Sequence, residues 1–124
     1  VSNPLLYKAF TAGGAINPYR IVRLSAADTV IQAAAATDSM FGVSTDLTIV
    51  SGERVEVMVC GIAWIEAGAA IALGAPVSAD AVGRGVTAAP AAGVNNRIIG
   101  FALDAAVAAG DQIRVLLSPG LMQG

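Results

Sequence analysis

Residues 41–59, FGVSTDLTIVSGERVEVMV, lie over residues 99–117, IGFALDAAVAAGDQIRVLL, at an offset of 58 without a gap. Gly42, Asp46, Gly52 and Val57 fall on Gly100, Asp104, Gly110 and Val115, while Ile49 meets Val107, Glu53 meets Asp111 and Val55 meets Ile113. Glycine, acidic and apolar positions are kept together, as a duplicated structural unit requires. Upstream the echo weakens to LSAAD at 24–28 against VSAD at 77–80, with Val30 against Val86. Two half-domains of similar topology are therefore expected. In 124 residues neither half is large enough to stand alone, so they should share one core.

Inside the doubled block the period is two. Val55, Val57 and Val59 share one face of a strand, and Arg54, Glu56 and Met58 share the other, with Glu53 and Glu56 solvated. The lone Cys60 follows, a small thiol with no basic neighbour in sequence, and reads as core. In IAWIE, Ile62 and Trp64 face one side and Ala63 and Ile65 the other, which predicts a strand covered on both faces with Trp64 inside. EAGAAIALGAPV breaks at Gly68 and Gly74 into short hairpin-like runs, and Ile113 and Val115 alternate with Arg114 up to a stop at Pro119-Gly120. Residues 83–96, with Pro90 and Asn95-Asn96, read as an exposed excursion.

Alanine argues for helix in VIQAAAA and ALDAAVAA. Both runs are short and lack a 3.6-residue period, and the duplicate of the first contains Pro90 and Gly93. Strand and loop are expected for 29–37, with a short helix or helical turn near 102–109 and its counterpart near 45–51. Asp46 and Asp104 would then cap or tether those turns, ahead of Gly52 and Gly110, with Gly42 and Gly100 as turn or core positions. The predicted fold is mainly β: a small compact β-barrel or β-sandwich-like domain with internal pseudo-duplication and at most one or two short helices. Residues 1–14 form an N-terminal arm or an edge strand, 15–118 the β-rich domain, and 119–124 a C-terminal tail.

Composition narrows the function classes. There is no histidine, one cysteine and 13% charged residues, which removes imidazole chemistry, a His-based metal centre and a disulfide scaffold. The acidic residues form no clustered pair for acid/base or metal work, so no catalytic, cofactor or metal residue is assigned. A net charge of -2, with arginines dispersed from Arg20 to Arg114, offers no stripe that could track phosphates. No apolar run reaches the roughly 18 residues of a membrane helix, and VSNPLLYKAF has no basic leader; a mature, soluble chain is expected. With 56% hydrophobic residues, 26 of the positions being alanine, the chain has little polar side chain to cover its surface, and a partner surface is the usual outlet.

The segments KAFTAGGAINPYRIVRLSAAD, FGVSTD, SGERVEVMVCGIAWIEAGAAIALGAPVSAD and NNRIIGFALDAAVAAGDQIRVLLSPG stand in an order that resembles the small capsid cement, or head decoration, proteins of tailed bacteriophages and related prophages. The resemblance spans about residues 5–118. It implies a β-rich structural protein, not an enzyme and without cofactor, on the outer surface of the virion capsid and in the host cytoplasm during assembly. Its implied partners are the major capsid protein and itself as a homotrimer. It transfers no catalytic motif. Candidate partner contacts are Leu5, Leu6, Tyr7 and Phe10, by strand addition or aromatic packing of an arm, and Tyr19. A second class stays open: a carbohydrate- or peptide-binding β module, marked by a concave groove of exposed Trp or Tyr, or another self-assembling structural subunit.

Overall fold

Period-two segments become strands wherever a neighbour can take their backbone groups, and more than half of this chain does so. In the computed structural model residues 3–123 are described, the side chains of residues 3–5 excepted. The strands are β1 (Asn3–Ala12), β2 (Ile21–Ala26), β3 (Thr29–Gln32), β4 (Met40–Ser44), β5 (Arg54–Glu66), β6 (Pro76–Ala79), β7 (Gly85–Thr87), β8 (Asn95–Ala102) and β9 (Gln112–Gln123). No helix occurs among the described residues. Their order is β1-β3-β2-β4-β5-β9-β8-β6-β7, and a further pairing of β1 with β5 closes the first five strands into a barrel.

The duplication extends far beyond the block read from sequence. Pairs Thr11↔Arg54, Phe10↔Val55 and Lys8↔Val57 of β1 and β5 recur as Glu66↔Gln112, Ile65↔Ile113 and Ala63↔Val115 of β5 and β9. Val22↔Gly42 recurs as Val77↔Gly100, Leu24↔Val30 as Ala79↔Gly85, and Val43↔Met58 as Phe101↔Leu116. Even the parallel closure of β1 on β3, Ala12↔Val30, recurs as the single bridge Ala67↔Gly85. The amino-terminal part of β5 thus ends one repeat and its carboxy-terminal part begins the next. The upstream match is 21–32 on 76–87, in a register different from that of the LSAAD/VSAD echo.

Identical residues of the repeat mark geometric necessities. Gly52 and Gly110 have φ of 90° and 95°, and each N–H ties its turn to a distant part of the chain, to Ala12 O at 2.7 Å and Ala67 O at 2.8 Å. Gly42 and Gly100 lie where strands touch: a Cβ on Gly42 would stand 2.7 Å from Met58 O, and one on Gly100 would land on the carbonyl oxygen of Leu116.

Two apolar clusters replace the single shared core expected. One fills the first barrel with Phe10, Ile16, Val22, Val30, Val55 and Val57 among others. The second runs from the interior of the second repeat, Ile65, Ile71, Val77 and Ile113, onto Ile21, Met40, Val43 and Met58 of the first, and so joins the halves. A polar clamp crosses the same junction: Arg20 Nη2 lies 3.2 Å from Glu66 Oε2 and Arg20 Nη1 donates to Val82 O at 3.0 Å.

Three further expectations are corrected. Residues 45–51 and 103–109 are turns, not helices, because reciprocal N–H to C=O bonds (Ile16 with Ile49, Ile71 with Ala106) take backbone groups a helix would need, and Ala102 ends β8. β9 runs through Pro119-Gly120 with no stop: Pro119 falls in the irregularity between Ile98↔Gly120 and Gly100↔Leu117, where a missing N–H costs no ladder bond. The 83–96 excursion shrinks, since β7 and the start of β8 lie within it and Gly83 and Gly85 are buried. Residues 3–12, within the segment read as an arm or an edge strand, form β1 along β5.

Candidate functional site

Three aromatic residues, Tyr7, Tyr19 and Trp64, line a concave surface whose shape is set by the loop before β2. Ser44 is buried at the end of β4; its Oγ donates to Asn17 O and accepts from the Arg20 N–H, both at 3.0 Å. That bracket holds the loop 17–20 against β4. Tyr19 is pinned within it, its N–H donating to Thr45 O at 3.0 Å and its carbonyl accepting the Glu66 N–H at 3.1 Å. The result is φ of 58° at Tyr19, a left-handed conformation that costs a side-chain-bearing residue about 1–2 kcal/mol. The matching residue of the second repeat, Gly74 at φ 80°, adopts it without penalty.

Tyr19 meets Tyr7 of β1, Met58 and Trp64 of β5, and Thr45 and Asp46 around a cleft of about 440 Å³. Trp64 is half-buried in this wall and not in the interior, a correction that follows from its outward register opposite Arg114. The Arg114 guanidinium carbon lies 6.0 Å from the centre of its ring. Asp104 orients that guanidinium bidentately, Nε to Oδ2 at 2.9 Å and Nη2 to Oδ1 at 2.8 Å, and also accepts the Arg114 N–H.

The duplicated aspartates have diverged. Asp104 tethers β9, while Asp46 is exposed at the cleft, because Glu56 stands where the second repeat has Arg114. The turns themselves are tied by the next acidic pair: Glu53 accepts from the Val50 N–H at 2.8 Å and Asp111 from the Val107 N–H at 2.9 Å. Glu53 is thus a turn anchor and not merely a solvated strand residue.

The Arg114 side-chain hydrogen bonds, then its backbone N–H and its charge, hold the Asp104 carboxyl at about 2 against an ordinary 3.8. A depressed carboxylate contributes stability that is complete above the unfolded value and lost as pH falls through the folded one. Asp104→Asn should therefore lower the urea midpoint at neutral pH, and the gap to wild type should narrow as pH falls from 3.8 towards 2. A gap independent of pH over that interval would remove this role. Added salt should shrink the gap, since the pair is open to solvent.

Of the other expected contacts, Leu6 is exposed and Phe10 is not: it is 7% accessible, inside the first barrel, edge-on to Phe41 with ring centres 5.3 Å apart. Leu5 lies, as a side chain, outside the described residues. Cys60 is exposed opposite Leu6, correcting its core reading; the Val55-Val57 face turns inward and Cys60 falls on the other. Among the described residues no three His, Cys, Asp or Glu side chains converge. The cleft offers aromatic faces, the Asp46 carboxylate and the hydroxyls of Tyr7, Tyr19, Ser44 and Thr45, and such amphipathic aromatics suit packing against a partner surface.

These elements make a small, compact, mainly β domain with a duplicated strand framework and an aromatic cleft. The family model described as phage cement protein matches residues 6–117, and the chain belongs to that family. A solved structure, the head fiber gp8.5 N base in bacteriophage phi29, shares the fold at a TM-score of 0.69 and 18% identity, over 91% of this chain and 93% of that one. Comparison with curated proteins finds no match.

Proposed function

We propose that this protein is a capsid cement: it binds the outer surface of an assembled phage head as a homo-oligomer, the trimer that the family resemblance implies, and stabilises contacts between major capsid subunits without catalysing a reaction. The family match over residues 6–117 carries the reading. Low charge and a preformed aromatic cleft support it physically, because a shape-matched contact needs little ordering on binding. Several such contacts on one oligomer reinforce one another through effective concentration, and binding to one state of the shell adds free energy to that state.

Co-sedimentation with expanded and unexpanded shells of the cognate phage tests it. Wild type should pellet with shells, and Tyr19→Gly should lower shell affinity on the order of tenfold, as loss of an interface aromatic does. The same variant should keep its folding stability within about 1 kcal/mol, since relieved left-handed strain offsets the added chain entropy of glycine. Failure of wild type to bind either shell would overturn the reading. A second reading, a carbohydrate- or peptide-binding module, is favoured by the cleft alone. It predicts a saturable change in Trp64 fluorescence with an oligosaccharide or peptide panel and no pelleting with shells.

A further inference from the structure

The two repeats match strand for strand, yet one of their faces is treated differently. In the first repeat an outward row crosses four strands in register: Tyr7, Met58, Val43 and Ile21. Its twin in the second repeat is Ile62, Leu116, Phe101 and Pro76. Ile21 and Val43 are fully buried and Met58 is 5% accessible, in one apolar cluster with Ala63, Ala79 and Ile99 of the second repeat. Leu116 and Phe101 are 44% and 41% accessible. A surface whose twin is an internal seam therefore stands open.

The other side of the seam has an open twin as well. The first-repeat positions matching Ala79 and Ile99 are Leu24, 45% accessible, and Phe41, half-buried. Lys8, which matches Ala63, is already paired with Asp28 at 3.3 Å. The chain thus carries, one on each repeat, both halves of an interface that it already makes once within itself.

We propose that these halves meet between chains: the Phe101–Leu116 face of one copy docks on the Leu24–Phe41 surface of a second copy, head to tail. This deepens the self-association in the reading above and does not depend on which shell the assembly covers. The occupant is another copy because this chain supplies the complementary surface, built on the same strand framework as the half that fills the internal seam. A contact of two different surfaces leaves one of each free, and it closes into a ring where the rotation between copies permits.

Light scattering on purified full-length chain tests it without any shell. Wild type should be oligomeric, and Phe101→Asp or Leu24→Asp alone should weaken association about thirtyfold, the effect of losing a central interface residue. An equimolar mixture of the two variants should form a dimer and go no further, because each retains the half the other lacks. Leu116→Asp provides a second variant on the first face, and circular dichroism establishes that each chain is folded. Leu73→Asp, at a more exposed site outside both surfaces, should leave the mass unchanged. A monomeric wild type, or a Leu24→Asp chain that associates like wild type, would overturn the proposal; the shell experiment can succeed or fail independently of either.

Discussion

Gly100→Ala should cost this fold about 3 kcal/mol or more, at or above the upper end of ordinary overpacking penalties. The single added carbon would occupy the position of the Leu116 carbonyl oxygen and press on the Leu116 carbonyl carbon and the Ser118 nitrogen, all backbone atoms of the paired strand. A side chain in that place could rotate away; a ladder cannot without losing hydrogen bonds on both sides of the β8/β9 irregularity. Gly74→Ala provides the control, since a Cβ there meets nothing within 4 Å and only the φ of 80° is strained. Its cost should stay near the roughly 1–2 kcal/mol of a left-handed alanine. Urea unfolding midpoints decide the matter: a Gly100→Ala chain no less stable than Gly74→Ala would mean that the strands do not approach as described.

Removal of residues 1–10 should abolish cooperative folding. From sequence alone those residues read as an arm or an edge strand, and as an arm their loss would be harmless. In the structure residues 3–10 form most of β1, which closes the first barrel by pairing with β5 along nearly its whole length. Phe10 also leaves with them, and deleting a buried phenylalanine side chain alone costs roughly 3–5 kcal/mol, against a net stability of about 5–15 kcal/mol for a domain. The truncated chain should show no sharp thermal transition and should bind dyes that report exposed apolar surface. A sharp transition close to that of the full chain would show that the first barrel does not need β1.

What could be read from the sequence was whatever depends on local alternation and repeated spacing. Val55, Val57, Ile113 and Val115 announced their strands, and Gly52 and Gly110 their turns, because each of these requirements is met within a few residues. Phe10 and Cys60 were misplaced for the opposite reason. Whether an aromatic or a thiol on a strand points inward depends on which strand lies beside it, and β1 lies about 50 residues from its partner in β5. The cleft was equally hidden: Tyr7, Tyr19 and Trp64 come from three segments, and only the loop held by Ser44 brings Tyr19 to the other two. The match of Asp46 with Asp104 suggested equal roles, but a carboxylate does what its neighbour permits. Arg114 in one repeat and Glu56 in the other set them apart, a difference that is visible in the alignment once the cross-strand register is known.

One strand, β5, belongs to both repeats: residues 54–58 pair with β1 and β4, and residues 62–66 with β9. The consequence is mechanical. Tension along β5 loads these antiparallel ladders in shear, so that many hydrogen bonds must break together rather than open one after another like a zip. A pull that reaches one barrel is carried into the other along a continuous backbone, with no flexible joint to absorb it.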